Sequence, residues 1–148
     1  MHEQRKVTRS PDASGKVQDA STNLSYLYRS SGSFALEMQK AKELDLVIVL
    51  KGHHTCIATP AGKIFFNNTG NAGMAKGGSG DVLTGILTAI VGQYHDTINS
   101  AILGVYLHGL AGDIAAEKNS MEAMIAGDIV ESLGEAFLSI SIEDNKAD

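Results

Sequence analysis

The chain has 148 residues, of which 43% are hydrophobic and 20% charged, with a formal net charge of −5. That suits one globular domain, or part of a larger one, with a single core. The acidic balance and the lack of a basic run argue against a nucleic-acid partner, and no stretch approaches the roughly 18 apolar residues of a membrane span. Cys56 is the only cysteine, so no internal disulfide can form, and with no apolar leader the sequence predicts a cytoplasmic protein.

Charge is uneven along the chain. Residues 113–148 hold nine acidic side chains against Lys118 and Lys146, whereas residues 46–112 carry Lys51, Lys63 and Lys76 against Asp81 and Asp96. The middle is therefore the place to look for an anionic ligand.

In chain order, residues 1–32 are polar and serine-rich without a sustained period, and are expected to be a poorly ordered or unrelated leader. From Ser33, Phe34, Met38 and Ala41 fall on one face of a short helix. Leu46-Val47-Ile48-Val49-Leu50 is a continuous apolar run, read as a strand buried on both faces in a parallel sheet. Thr55–Ala58 and Lys63–Phe66 read as a hairpin closed by Thr59-Pro60-Ala61-Gly62. A glycine-dense loop follows from Gly70 to Gly80. After it Val82, Leu83, Ile86, Leu87, Ile90 and Val91 form a helical stripe, expected to stop at Gly92. A long helix from about Thr97 to Lys118 repeats Leu103, Leu107, Leu110 and Ile114, and its small residues, Gly104, Gly109 and Gly112 among them, invite close packing. A last helix near Asp128–Phe137 precedes a polar tail, 141–148. One buried strand plus a hairpin cannot make a doubly wound sheet alone. The expectation is part of an α/β domain, occupying 33–140, whose earlier βα units are missing.

Two constellations carry chemistry. The first is Gly77-Gly78-Ser79-Gly80-Asp81, at the start of a helix. Helix N-termini expose unpaired N–H groups and the positive end of the macrodipole, and glycines let the backbone approach a phosphate. The loop fits neither familiar phosphate motif: a Walker loop needs Gly-Lys-Ser/Thr before the helix, and a dinucleotide fingerprint needs glycine where Leu83 stands. The second is Lys51-Gly52-His53-His54-Thr55, directly after the apolar strand, where ligands of open α/β sheets collect. Adjacent histidines on a strand point to opposite faces and no third ligand lies at suitable spacing, so no zinc site is expected. His108, among small and apolar residues in mid-helix, is read as a core residue.

The runs Val49–Thr55, Asn68–Gly85 and Leu103–Asp113 resemble the C-terminal part of the ADP- or ATP-dependent NAD(P)H-hydrate dehydratases, a resemblance that spans roughly residues 34–138. It implies a ribokinase-like three-layer α/β/α fold, present here as its C-terminal portion. It also implies repair of hydrated NADH or NADPH with ADP or ATP as co-substrate, ADP being favoured, and Mg2+ as cofactor. The hydroxyl of the hydrated ring is phosphorylated and phosphate is then expelled. By the same resemblance Lys51, Gly52, His53, His54, Thr55 and Gly80 line the nucleotide site, and Gly77, Gly78, Ser79 and Gly80 form an anion hole. Asp81 faces the hydrated nicotinamide as catalytic base, and Asn71 orients a phosphate or its metal. Such proteins often form homo-oligomers.

The family's Thr-Pro-His-Pro-Gly-Glu-Phe-like segment, whose histidine helps to hold the hydrated cofactor, has no counterpart. Ser10-Pro11-Asp12 lacks both the His and the Glu-Phe. The chain is thus expected to be truncated and weakly active or inactive. A thiamine-precursor kinase of the ribokinase superfamily and a non-catalytic oligomer module are the alternatives.

Overall fold

The structure is a computed structural model that describes residues 17–19, 32–52 and 54–144. Four strands form one antiparallel sheet: β1 (Val17–Asp19), β2 (Ile48–Leu50), β3 (Cys56–Ala58) and β4 (Ile64–Asn67), in the order β1-β4-β3-β2. The helices are α1 (Gly32–Leu44), α2 (Ser79–Tyr94), α3 (Thr97–Ala123) and α4 (Ala126–Asp144), with a 3-10 turn at Ala72–Met74.

The period of two along the strands sends alternate residues to opposite faces. Cys56, Ala58, Ile64, Ile48 and Phe66 pack with Ala41, Phe34 and Met38 of α1 on one side. Ile57, Val47, Val49 and Phe65 pack with Leu83 and Leu87 of α2 and Ala101 and Val105 of α3 on the other. Helices thus cover both faces of the sheet, giving three layers. Behind α3, a helical core joins Ile86, Ile90, Leu107, Ala111, Met124 and Ile129. Among the described residues no helix is long and apolar enough to cross a membrane.

The hairpin forms as its turn residues dictate. Gly62 takes φ +77, and its N–H donates to the Thr59 carbonyl at 2.9 Å. The apolar run before it departs from expectation. Its side chains meet helices on both faces of the sheet, but Val47, Ile48 and Val49 are only half-buried. The pairing, however, is antiparallel, Ile48 opposite Ala58, and the strand is three residues long. Only a five-residue connection separates β2 from β3, too short for a crossover. Leu46 and Leu50 stay 52% and 38% exposed because β2 is the last strand in the order. β1 lies in the segment read as a leader, paired Val17 to Asn67.

Helix ends differ as well. α2 runs through Gly92 and stops at His95, whose left-handed φ of 55 lets its N–H bond the Val91 carbonyl. α3 continues past Lys118 to Ala123 across a break at Ser120, where φ is 63 and ψ 158. α4 spans Ala126–Asp144, longer at both ends than its apolar stripe.

Candidate functional site

The segment between β4 and α2 lies along α3, held by side-chain bonds to the helix backbone. Asn67 donates through Nδ2 to Thr69 Oγ1 at 2.9 Å, and Thr69 in turn donates to the Tyr106 carbonyl at 3.0 Å. Asp113 accepts from the Gly70 N–H at 2.8 Å and from Asn71 Nδ2 at 3.0 Å. Gly109 and Gly112 make this approach feasible, because a Cβ at either would collide with Thr69 or with Met74.

Asn71 also donates to the Gly112 carbonyl at 2.9 Å, and its Oδ1 caps the 3-10 turn by accepting from Gly73 N–H at 3.0 Å. Both of its amide protons are committed inside the protein. The side chain thus shapes the loop.

At the end of the loop Gly78 sits at the N-cap of α2 with φ +88, a conformation costly for any residue with a Cβ. Gly77, Gly78 and Gly80 are exposed, and Ser79 between them is buried, with 2% of its surface accessible. Asp81 stands exposed in the first turn of α2, where the helix dipole favours a carboxylate.

Lys51, at the exit of β2, reaches this turn. Its Nζ lies 3.4 Å from Ser79 Oγ, a long contact across 28 residues of sequence. Desolvation pulls its pKa below the ordinary lysine value. The structure therefore brings together the two sequence constellations, the lysine after β2 and the glycine turn before α2. Gly52 and His54 are exposed in the β2–β3 connection. Thr55 is half-buried, and its carbonyl accepts from Asn67 N–H at 2.9 Å. His53 lies outside the described residues. Lys63 falls at the opposite end of the hairpin, as the register of Cys56 with Phe66 and Ala58 with Ile64 requires.

His108 is buried in α3, 5% exposed, and it also supports the site. Its Nε2 lies 2.9 Å from the Ser79 carbonyl and 3.4 Å from Ser79 Oγ. A carbonyl oxygen can only accept, so Nε2 is assigned the proton. Burial pushes its pKa from 6.5 down to about 4; the bond to Ser79 opposes that and the nearby Lys51 charge adds to it. A neutral His108 thus anchors the first residue of α2. Cys56, buried in the central strand, is held as a thiol, its pKa raised by burial to about 12.

No group of three or more His, Cys, Asp or Glu side chains converges on a metal position among the described residues. Magnesium needs no such cage, since it is commonly held by one or two carboxylates and the phosphates of a nucleotide. The exposed Asp81 beside the glycine turn fits that requirement.

A family model described as Carb_kinase, NAD(P)H-hydrate dehydratase, matches residues 22–134, beginning ahead of residue 33. The chain belongs to the NAD(P)H-hydrate dehydratase family. Over 93 residues it is 50% identical to a bifunctional NAD(P)H-hydrate repair enzyme of Moorella thermoacetica, covering 63% of this chain and 18% of that protein. It is 35% identical over 115 residues to an ADP-dependent (S)-NAD(P)H-hydrate dehydratase of Bacillus subtilis, covering 72% of this chain and 42% of that one. Among solved structures, the ADP/ATP-dependent dehydratase of Bacillus subtilis co-crystallized with ATP/Mg2+ matches at a TM-score of 0.69. The two are 31% identical, over 79% of this chain and 42% of that chain. A ribokinase-like superfamily protein of Enterococcus faecalis matches at 0.64 and 34% identity, over 77% of this chain and 38% of that chain. The fold of this dehydratase-family chain is accordingly a partial ribokinase-like α/β domain, and the chain spans less than half the length of these relatives.

Proposed function

We propose that this chain provides the nucleotide-phosphate cradle of an NAD(P)H-hydrate dehydratase, with the Gly77–Gly80 turn as anion hole and Lys51 as its fixed cation. The observation that carries this is the approach of Lys51 to Ser79, which joins two separately recognised sequence elements into one positively biased turn. Backbone N–H groups at the N-terminus of α2 stabilise charge on the transferred phosphoryl group, and His108 keeps Ser79 in place while they do so. Asp81 takes the proton of the ring hydroxyl as that oxygen attacks the phosphoryl group. Loss of phosphate, together with a proton from the adjacent ring carbon, then restores the ring double bond of the reduced nicotinamide. Phosphoryl transfer asks mainly for positioning and charge stabilisation, and those are what the turn provides. Magnesium bound to the nucleotide phosphates would supply neutralisation of their charge, leaving the Asp81 carboxylate free as base.

The dehydratase name of the relatives favours hydrated NADH or NADPH over a thiamine precursor as substrate, and ADP over ATP. The chain spans under half the length of those relatives. The test is incubation with hydrated NADH, magnesium and either ADP or ATP, following the near-ultraviolet absorbance of the restored reduced nicotinamide, with nucleotide binding measured in parallel. Saturable binding of ADP is expected. Phosphorylation of hydroxymethylpyrimidine instead would replace the dehydratase assignment with the kinase one.

A further inference from the structure

Lys76 stands inside the glycine loop, where a lysine would ordinarily be assigned to phosphate. Its ammonium is used elsewhere. Nζ donates to the carbonyls of Met121 at 3.2 Å, Glu122 at 2.5 Å and Met124 at 2.8 Å. These carbonyls belong to the junction between α3 and α4, just after the break at Ser120. The last carbonyls of a helix lack intrahelical partners, and an ammonium has three donors and no acceptor. Three donors meet three acceptors.

Two further contacts place the loop on this junction. A Cβ at Gly73 would lie 2.6 Å from the Met121 carbonyl oxygen and 2.7 Å from Met124 Sδ, so the start of the loop presses on the same backbone. The Lys76 carbonyl accepts from the Ser79 N–H at 3.4 Å, so the residue whose side chain is tied down also opens the turn into α2. Lys51 approaches that turn from the sheet and His108 from α3, whereas Lys76 fastens it to the far end of α3.

We propose that Lys76 is a positioning residue of the anion loop. Its ammonium pins the loop to the α3–α4 junction, so that the N–H groups of Gly77–Gly80 are set before any ligand arrives. It is not itself a phosphate ligand. This rests on the assignment of that turn to nucleotide phosphate, but the pinning can be measured without nucleotide. A preset loop binds more tightly because less ordering remains to be done on binding.

The experiment compares the wild-type chain with Lys76→Met and Lys76→Arg, following amide hydrogen exchange without ligand, thermal midpoint, and ADP affinity by calorimetry. In Lys76→Met the amides of 77–80 are expected to exchange about tenfold faster while those of the α2 interior keep their rates. ADP affinity falls about tenfold, the equivalent of about 1.4 kcal/mol, and Lys76→Arg recovers part of both losses. Unchanged exchange at 77–80 in Lys76→Met overturns the inference, as does unchanged ADP affinity in a protein that binds ADP. Faster exchange in a protein that binds no ADP upholds the pinning and refutes the nucleotide assignment. Should Lys76→Met fail to fold, the wild-type Nζ resonance decides: slowly exchanging ammonium protons support the anchor, and free exchange with solvent contradicts it.

Discussion

Acidification should strike the site through His108 before it reaches the rest of the fold. The ring is neutral and donates from Nε2 to the Ser79 carbonyl. Its pKa is about 4 in the folded protein against 6.5 when released by unfolding. A depressed value means that its contribution to stability is complete above 6.5 and is lost as pH falls toward 4. At 1.36 kcal/mol per pKa unit the full loss is about 3 kcal/mol, of which about 2 kcal/mol has gone by about pH 5. That is a large fraction of the stability of a small domain. Urea denaturation of the wild type and of His108→Gln across about pH 8 to pH 4.5 isolates the effect, since the remaining titrating groups are shared and cancel in the difference. The wild type should lose about 2.5 kcal/mol more than the variant over that range. Parallel stability curves would show that His108 is either not neutral or not buried, and the anchoring of Ser79 would fall with it.

Four further outcomes follow from the same geometry. Lys51→Met should weaken ADP binding about 10- to 100-fold, the worth of one charge-assisted hydrogen bond, with little change in thermal midpoint because the side chain is exposed. Gly78→Ala should cost about 1–2 kcal/mol in urea denaturation, since the left-handed region disfavours a Cβ and the new methyl would meet Ala126 at 3.0 Å. Gly77→Ala meets no protein atom within 4 Å, so it should leave stability nearly unchanged while reducing ADP affinity. Cys56, buried with its thiol pKa near 12, should react with a thiol reagent at neutral pH only at the rate of unfolding; fast labelling of the native protein would contradict its place in the central strand.

What was legible in the sequence was local. Thr59-Pro60-Ala61-Gly62 writes its turn in four residues, and the stripe from Val82 to Val91 writes the α2 face in three turns. The glycines at 104, 109 and 112 marked close approach, and the structure shows what approaches: Leu87, Thr69 and Met74. Strand direction was not legible, because the apolar run of β2 reports that both faces are covered and says nothing about its neighbour's polarity. The end of α2 at His95 and the break at Ser120 leave no sequence signal, because both use positive φ in a residue other than glycine. His108 was assigned to the core, and it is buried there. Its tie to Ser79 spans 29 residues and leaves no periodic trace. Asn67, Thr69 and Asp113 likewise carry no local signal, since their partners lie 37 to 43 residues away and only the fold brings them together. Sequence could point to Lys51 and Gly77–Asp81 separately, whereas their meeting at Ser79 required the sheet and α2 to be placed.

Gly77–Gly80 and Lys51 are proposed together to hold the phosphates of an adenine nucleotide. Titrating magnesium-ADP into the isotope-labelled protein and following backbone amide resonances tests it most directly. The amides of Gly77, Gly78, Ser79 and Gly80 should shift together and saturate, and Lys51→Met should move the midpoint to higher concentration. Saturable shifts confined to other parts of the chain, or unmoved 77–80 amides at millimolar nucleotide, would contradict the assignment of this turn.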